Sequence, residues 1–385
     1  MSKKEIEVKI ERLIWRGRGL GSLKNGKRVI ILPPVLPGEY ITGEVIREKK
    51  DFVEVKPTRI IHKSIHRRPH LCDSAKYCGG CTFGFIDDDY EIELKKNILK
   101  NELKRWLGRY ISSFPEITLY CSLKNWGYRW RGQVFVKNNS PHFSKINSNE
   151  LIEIKRCMLF ADEINNELEK ICLTLKDGKT TICASPWDKK VFSEYDAGPL
   201  ILPYNSYGIN LKINPRSFFQ ANWDLNMKLV DCVVLLCLDF EKIGDLFAGC
   251  GNFAVPLSSY GKEVIAIENN PWSVVSLFSF IKENSIKNIK VTKMDLIKSS
   301  PKKLLEDFKV ECLIVDPPRC GGGRFVHEIN NLFTLKRIIW VSCDVVNTAR
   351  DIKPLLQAGW TINEIFLFDM FPNTYHMEVV FVIDR

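Results

Sequence analysis

From residue 205 to the end of the chain, short apolar segments alternate with helical segments, and this alternation constrains the fold more than any other feature. Each apolar segment has the length and the Val, Ile, Leu and Phe content of a strand buried on both faces of a sheet. The seven segments read KIGDLF, EVIAIE, NIKVTKMD, ECLIVD, RIIWVSC, TINEIFLFD and EVVFVI. Because the first five alternate with helices, the pattern predicts a Rossmann-like α/β domain over 205–385, with a mostly parallel seven-stranded sheet.

The two preceding regions have different patterns. Residues 1–61 alternate short β-branched runs with Gly, Pro and Asn-Gly turns, which predicts a small OB-like β-barrel of five strands. Residues 62–204 predict a small central α+β domain, and its helix at 90–107 is a candidate to pack on the third domain. The apolar stripe of that helix comprises Leu94, Ile98, Leu99, Leu103, Trp106 and Leu107.

The charge and hydropathy of the chain limit its surroundings and partners. The 56 Lys and Arg residues exceed the 46 Asp and Glu residues, for a net charge of +10, which makes a polyanionic partner plausible. Basic residues crowd the first two turns of the predicted barrel, although a solvated face explains them equally well: Arg16, Arg18, Lys24, Lys27 and Arg28. No apolar run approaches the ~20 residues of a membrane span, and the N-terminus lacks the apolar core of a signal peptide. We therefore expect a cytoplasmic protein with no membrane contact.

A glycine turn follows the first strand of the third domain, in DLFAGCGNFAVPL at 245–257. Gly249 and Gly251 allow a sharp turn and a close approach of the backbone to a ligand. Glu268 ends the next strand, where a carboxylate can accept hydrogen bonds from the ribose hydroxyls of a nucleoside cofactor. Ala254 replaces the third glycine of the dinucleotide pattern, which argues mildly against NAD, and the absence of Gly-Lys-Ser/Thr excludes an ATP-type P-loop.

Polar side chains follow four successive strands of the predicted sheet. They are Asn252, Glu268, Asp295 and Asp316. A single acid at such a place is usually a helix cap, but ligands of open α/β sheets bind outside the carboxyl ends of the strands. Four consecutive examples therefore predict a site at this edge, and Pro317 and Pro318 fix the chain that follows Asp316.

A cysteine, Cys343, ends the fifth strand at the same edge, and Glu378 precedes the last strand. A thiolate nucleophile and a carboxylate base suit the methylation of a pyrimidine at C5, a carbon that is a poor nucleophile by itself. Addition of sulfur to C6 makes an enolate whose charge is shared by C5. C5 then accepts a methyl group from a sulfonium donor, and removal of its proton allows the thiol to leave. The alternatives to these catalytic roles are that Cys343 is a chance cysteine at a strand end and that Glu378 belongs to a polar surface hairpin.

The chain has 13 cysteines, an odd number, and no export signal, so a disulfide framework is not expected. Five lie in apolar sequence and are assigned to packing: Cys172, Cys183, Cys232, Cys237 and Cys312. Cys72, Cys78 and Cys81, in the spacing C-x5-C-x2-C, combine with the lone Cys157 into four possible thiolate ligands. Zinc, an iron–sulfur cluster and four unligated thiols all remain compatible with the spacing.

Five motifs in this order resemble the S-adenosylmethionine-dependent RNA uracil-C5 methyltransferases. They are FFQANWDLN (218–226), DLFAGCGNF (245–253), VDPPRCG (315–321), WVSCD (340–344) and FDMFPNTYHMEVV (368–380). The segment WGYRWRGQVFV (126–136) is also similar to the central region of that family, and residues 1–61 resemble its TRAM domain, an OB-like RNA-binding barrel.

The resemblance assigns roles to individual residues. It implies Cys343 as the nucleophile and Glu378 as the base that removes the C5 proton. The implied contacts to S-adenosylmethionine are Gln220, Phe247, Asn252, Glu268, Asp295 and Asp316, and the implied substrate contacts are Phe218, Gln220 and Asp316. Asp344 stands where the family usually has Asn, and Asn373 where many members have His, which puts the choice of target in question.

The resemblance also implies cofactors and partners. The rRNA-modifying branch of the family carries a [4Fe–4S] cluster on this cysteine spacing, so Cys72, Cys78, Cys81 and Cys157 become the expected ligands. We expect a monomer that acts on 23S rRNA. The alternatives are a tRNA uracil-C5 methyltransferase and a non-catalytic RNA-binding module. An aromatic and basic segment is a predicted RNA surface, although burial in the core explains half of its rings: Lys124, Trp126, Tyr128, Arg129, Trp130 and Arg131.

Overall fold

The computed structural model describes residues 4–146, 148–323 and 325–385. The chain divides into two compact units. The first unit comprises Met1–Arg105, Ser144–Glu150 and Phe371–His376, and the second comprises Trp106–Phe143, Leu151–Met370 and Met377–Arg385.

The N-terminal part of the chain forms six strands and a long helix. Their bounds are β1 Glu5–Lys9, β2 Arg12–Ile14, β3 Arg18–Ser22, β4 Arg28–Ile31, β5 Tyr40–Glu48, β6 Phe52–His62 and α1 Asp88–Leu107. The strands make one sheet in the order β1-β5-β6-β4-β3-β2, in which only β4 and β6 pair in parallel. The structure has six strands here, one more than the five predicted, and Arg16 and Gly17, both at φ 67°, turn the chain between β2 and β3.

Helix α1 begins with acidic residues in its first turn, which face the positive end of the helix dipole. Its predicted apolar stripe is buried except for Trp106, for which the prediction is wrong, since its side chain is 43% exposed. Lys95 is also buried; its Nζ lies 2.6 Å from Glu91 and donates to the backbone oxygen of Phe371 at 3.1 Å. In the first unit, α1 therefore holds the segment Phe371–His376.

The rest of the chain contains fifteen strands and seven helices among the described residues. The strands are β7 Ile117–Tyr120, β8 Arg131–Lys137, β9 Ser140–Ser144, β10 Leu151–Glu153, β11 Gly178–Ala184, β12 Val191–Ser193, β13 Leu200–Tyr204, β14 Ile209–Ile213, β15 Lys242–Leu246, β16 Glu263–Glu268, β17 Ile289–Lys293, β18 Cys312–Val315, β19 Arg337–Ser342, β20 Thr361–Phe368 and β21 Glu378–Asp384. The helices are α2 Asp162–Thr174, α3 Trp223–Cys237, α4 Ala254–Ser259, α5 Pro271–Glu283, α6 Lys302–Phe308, α7 Val326–Ile329 and α8 Val345–Gln357.

The large sheet of the second unit has eight strands in the order β17-β16-β15-β18-β19-β21-β20-β7. All neighbouring pairs are parallel except those of β21, which runs antiparallel to β19 and β20. The predicted α/β class and mostly parallel sheet are confirmed. Strand β7 adds an eighth member, which the sequence alone did not assign to this sheet.

Two smaller sheets accompany the large one. Their orders are β10-β9-β8-β11-β12 and β13-β14. The five cysteines assigned to packing are all buried. In the part of the chain that the structure describes, none of the helices has the length and apolar character needed to cross a lipid bilayer.

Candidate functional site

The glycine turn after β15 adopts the backbone conformation that its composition predicts. Gly249 has φ 57° and Gly251 has φ 97°, and a Cβ on Gly249 would meet nothing within 4 Å. Phe247, a bulky residue, also has a positive φ of 62°, a strained conformation that is typically retained at binding sites. The turn therefore presents bare backbone and open space at the carboxyl end of β15.

Glu268, the last residue of β16, fixes the neighbouring loops. One of its oxygens, Oε2, accepts a hydrogen bond from Gly249 N at 2.9 Å. The other, Oε1, accepts from Asn269 N at 2.7 Å and from Asn270 N at 2.6 Å. A carboxylate has about four lone-pair positions, so this conformation leaves Glu268 room to accept one further hydrogen bond.

Three carboxyl groups crowd this edge of the sheet. Register places Phe247 beside both Glu268 and Asp316 when each ladder is extended by one residue. Burial raises the pKa of Asp316 to about 7, and the charge of Glu268 adds to the shift. The pKa of the buried Asp245 is also raised, by burial and then by Asp316; its Oδ2 accepts from Ala254 N at 3.1 Å, and its Oδ1 has no partner among the described residues.

This crowding fits a cationic ligand. A positive charge at the edge would lower the free-energy cost of keeping Asp245 and Asp316 ionised. S-adenosylmethionine carries a sulfonium and an ammonium group, and its ribose requires an acceptor such as the remaining position on Glu268. The residues present therefore fit that cofactor in charge and in hydrogen-bonding capacity.

Strand pairing brings Cys343 and Glu378 together. Strands β19 and β21 are antiparallel, with Ser342 opposite Val379. The same register, extended by one residue, places Cys343 opposite Glu378, where Cα atoms of paired residues lie about 4.5–5.5 Å apart. Asp316 ends β18, the neighbour of β19 on its other side. The thiol therefore lies between two carboxyl groups at one edge of the sheet.

Burial and the neighbouring carboxyl groups favour the neutral forms of Cys343 and Glu378. Burial raises the pKa of the Cys343 thiol to about 12, and the charges of Glu378, Asp316 and Asp344 act in the same direction. The pKa of Glu378, only 2% exposed, is raised well above its ordinary value by burial and then by Asp316. The charge of Arg319 lowers the pKa of both Cys343 and Glu378. Arg319 belongs to the motif VDPPRCG, but the sequence alone assigns it no role.

Helix α8, which starts directly after Cys343 and Asp344, holds the loop that carries Arg319. The side-chain nitrogen of Asn347 donates to Arg319 O at 2.7 Å, and the Arg350 guanidinium donates to Cys320 O at 3.1 Å. Asp351 Oδ2 accepts from Gly322 N at 2.7 Å. At the start of the helix, the side chain of Asp344 caps the N-terminus by accepting from the backbone nitrogens of its second and third residues. A single helix therefore follows the nucleophile and fixes the adjacent loop.

The other predicted cofactor and substrate contacts all belong to the second unit, but they differ in solvent exposure and in hydrogen-bond partners. Gln220 is 7% exposed, whereas the Phe218 side chain is 59% exposed. Asn252 accepts hydrogen bonds from Tyr204 at 3.1 Å and from Asn226 at 3.0 Å. Asp295, two residues beyond β17, accepts from Ile297 N at 3.1 Å. The roles that the resemblance assigns to these residues stay predictions.

Two of the three aromatic rings in the predicted RNA-binding segment at 124–131 are buried. Tyr128 and Trp130 are 2% and 7% exposed, so the alternative of burial in the core holds for these two rings. Trp126 is only half-buried.

The cysteine loop of the first unit contains three half-buried thiols, Cys72, Cys78 and Cys81. Gly80 N donates to Cys78 Sγ at 3.4 Å. Within the described ranges, no group of three or more His, Cys, Asp or Glu side chains is arranged to hold a metal ion. The thiols are chemically suited to a metal cluster, but this conformation does not assemble them around one.

Comparison with known proteins supplies further information. Residues 148–385 match the family model described as tRNA (uracil-5-)-methyltransferase. A 23S rRNA (uracil(1939)-C(5))-methyltransferase RlmD from Francisella tularensis subsp. holarctica is 28% identical over 439 residues, which cover 99% of this chain and 97% of that protein. The RlmD of Vibrio campbellii is 25% identical over 426 residues, with coverages of 98% and 95%.

One solved structure is similar over nearly the whole chain. It is the crystal structure of the Pyrococcus abyssi tRNA (uracil-54, C5)-methyltransferase in complex with S-adenosyl-L-homocysteine. The TM-score is 0.72 at 22% identity, and the match covers 98% of this chain and 100% of that chain. At this level of identity the similarity establishes the fold.

Proposed function

The chain belongs to the tRNA (uracil-5-)-methyltransferase family, and on that premise we propose that it methylates C5 of a uridine in 23S rRNA through a covalent bond to Cys343. Membership makes it an S-adenosylmethionine-dependent RNA uracil-C5 methyltransferase. The RNA class, the covalent mechanism and the roles of individual residues are the proposal.

Residues at the carboxyl ends of different strands would bind different parts of the cofactor. Glu268 and the turn at Gly249 would hold the nucleoside part of S-adenosylmethionine, and Asp316 would lie nearer its charged end. The bound cofactor supplies an electrophilic methyl group. The target uridine must leave any helix to reach Cys343, because the thiol lies at a protein edge that a stacked base cannot approach.

Cys343 and Glu378 would perform the covalent chemistry. The sulfur of Cys343, once deprotonated, forms a bond to C6 and makes C5 nucleophilic. After C5 has gained its methyl group, Glu378 removes the C5 proton. The electron pair of that C–H bond re-forms the C5–C6 double bond and expels the Cys343 thiolate. A raised pKa makes Glu378 a stronger base once it is ionised, and Arg319 favours the ionised forms of both groups.

Two observations carry this proposal: strands β19 and β21 pair with Ser342 opposite Val379, directly next to Cys343 and Glu378, and the pKa of Cys343 is raised by burial and then by the charge of Glu378. The decisive experiment incubates the enzyme with labelled S-adenosylmethionine and unmodified RNA, then searches for a covalent complex on denaturing gels. Glu378→Gln should accumulate the adduct, because the C5 proton stays in place, and Cys343→Ala should form none. Release of methylated RNA by Glu378→Gln at the wild-type rate would contradict the assignment of the base.

The choice of 23S rRNA is supported by two relatives that match over nearly the full chain and are named as 23S rRNA enzymes. Separate incubations with unmodified rRNA and tRNA pools distinguish the candidates. Label in tRNA alone would establish the tRNA alternative. Cofactor binding without label in either pool would favour the non-catalytic RNA-binding module.

We also propose that Cys72, Cys78, Cys81 and Cys157 bind a [4Fe–4S] cluster. The spacing C-x5-C-x2-C and the three half-buried thiols in one loop support this ligand set. No step of methyl transfer requires the cluster, so its expected role is structural. Iron and sulfide analysis of anaerobically purified protein tests it; zinc, or no metal, would contradict it.

The remaining parts of the proposal concern organisation. Residues 1–61 would act as a TRAM-type RNA-binding barrel, 62–204 as a central domain and 205–385 as the catalytic domain. Arg16, Lys24 and Arg28 are exposed on the N-terminal sheet, whereas Lys27 pairs with Glu48 at 2.8 Å. We expect the protein in the cytoplasm, where its RNA substrate is found. We also expect a monomer, and sedimentation of the purified protein measures this oligomeric state.

A further inference from the structure

The segment that leads into Gln220 is fixed against the start of α5. Asn214 N donates to Ser276 Oγ at 3.0 Å, and that hydroxyl donates to Trp272 O at 2.8 Å. Asn214 also orders the segment internally, since its Oδ1 accepts from Arg216 N at 2.9 Å. Arg216 and the first turns of α5 therefore keep a defined relative position.

Two large aromatic rings are exposed at this junction. Trp272 is 40% exposed and Phe218 is 59% exposed. An arginine lies beside each ring. The Arg216 guanidinium carbon is 4.5 Å from the centroid of the Trp272 ring, and that of Arg131 is 5.4 Å from the Phe218 ring. Burying these rings would be favourable, so their exposure at one junction indicates a ligand surface.

The position of Trp272 relates this surface to the candidate site. Asn270 caps α5 by accepting from Trp272 N at 2.9 Å and Ser273 N at 3.1 Å. The backbone nitrogen of Asn270 donates in turn to Glu268 at 2.6 Å. Trp272 is thus tied through its cap to the carboxyl edge of the large sheet, the edge that carries Cys343.

We propose that Trp272 and Arg216 form a binding site for an unpaired nucleotide of the RNA, close to the target uridine in sequence. The base stacks on the indole, and the guanidinium of Arg216 contacts a phosphate. This inference rests on the proposed function, because it assumes an RNA substrate, and it adds a contact that neither the family motifs nor the comparisons assign.

The chemistry of the surface favours a nucleotide. An indole accepts any base by stacking, and an adjacent arginine supplies both a charge for the phosphate and a planar group. An unpaired strand is expected here, since the target base itself must be unstacked before it reaches Cys343. The competing occupant is the adenine of S-adenosylmethionine, because Trp272 follows Glu268 closely, and the test separates the two.

The test uses the full-length protein and two titrations. Filter binding to an unmodified 23S rRNA transcript measures RNA affinity, and calorimetry measures the affinity for S-adenosylmethionine. Trp272→Ala should weaken RNA binding by about tenfold, the order expected for loss of one stacked base, and should leave cofactor affinity unchanged. Trp272→Phe, which keeps an aromatic face, should retain most of the RNA affinity. Phe278→Ala is the matched control: this ring is 49% exposed on the same helix and should have no effect.

Arg216→Ala provides a second, independent readout. Loss of one phosphate contact should reduce the slope of log affinity against log salt concentration by about one. Unchanged RNA affinity in Trp272→Ala, or a loss confined to S-adenosylmethionine affinity, would overturn the inference. An RNA loss equal in Phe278→Ala would also overturn it. Failure of the proposed function is distinguishable, since the wild-type enzyme would then leave the 23S rRNA transcript unmethylated.

Discussion

The loop between β18 and α7 is attached to α8 in part through a buried carboxylate, Asp351, and removal of this carboxylate should impair catalysis without abolishing the fold. Asp351 is 8% exposed. It accepts from Gly322 N at 2.7 Å and from Arg350 Nε at 2.8 Å. Asp351→Ala deletes both acceptors, so the loop that carries Arg319 loses its attachment to α8 at one of three points.

The expected size of the effect follows from these contacts. A hydrogen bond to a charged group contributes about 1.5–3 kcal/mol, so the loop becomes locally less stable by roughly that amount. A displacement of about 1 Å near reacting groups costs on the order of 100-fold in rate. We therefore expect kcat of Asp351→Ala to fall by about 10- to 100-fold, while the affinity for S-adenosylmethionine changes little.

The pH dependence provides the more specific readout. Four charged or titratable groups face Cys343: Glu378 from β21, Asp316 and Arg319 from the segment after β18, and the adjacent Asp344. Of these groups, only Arg319 lowers the pKa of Cys343. The same guanidinium lowers the pKa of Glu378, which also faces Asp316. When Arg319 moves away, both pKa values rise, and the acid limb of the kcat profile should move to higher pH. Partial recovery of kcat at alkaline pH is the expected signature.

The matched control is Asp384→Ala. Asp384 accepts from Arg337 Nε at 2.7 Å and from Arg337 Nη2 at 3.0 Å. The Asp384→Ala variant therefore also loses a carboxylate–arginine pair. Arg337 begins β19 and lies six residues from Cys343, about 20 Å along the strand. The control should lose stability without a shift in the pH profile. Wild-type kinetics in Asp351→Ala, or an equal shift in Asp384→Ala, would refute the reasoning.

Three further predictions follow from the same site. Gly321→Ala should reproduce the defect of Asp351→Ala, because Gly321 has φ 98° and an added Cβ would collide with the side chains of Arg350 and Asp351; wild-type kcat in this variant would show that the loop adapts. The pKa of Cys343 is raised to about 12, so its thiolate fraction rises about tenfold per pH unit from pH 7 to 9. Alkylation of Cys343 by iodoacetamide without ligands, followed by mass spectrometry, should accelerate by the same factor. A plateau of the alkylation rate below pH 9 would contradict the raised pKa. The raised pKa of Glu378 means that the folded state favours its protonated form, so the stability of the wild-type protein falls as pH rises above about 4.5 towards the folded-state pKa. Glu378→Gln has no carboxyl group to titrate and lacks this loss. The melting temperature of the variant, measured relative to that of the wild type, should therefore increase between pH 5 and pH 8.

Local sequence predicted much of the fold because the strands of a buried parallel sheet are short, apolar and separated by helices. All seven predicted strands of the large sheet are present, and the glycine turn has the positive φ angles that Gly249 and Gly251 permit. Burial was less predictable. Trp106 occupies an apolar position on α1 yet is exposed, and Tyr128 lies among basic residues yet is buried, since burial depends on which element packs against each position.

The sequence by itself determined which chemical groups stand at strand ends: a cysteine after β19, an acid at the end of β16, another directly after β18, and Glu378 at the start of the last strand. Only the tertiary structure decided that they meet. The last strand is inserted between β19 and β20 and runs antiparallel, and this non-local pairing brings Glu378 opposite Cys343. The raised pKa values and the influence of Arg319 have the same origin, because burial and proximity arise when distant segments pack and are not encoded in the periodicity of any one segment.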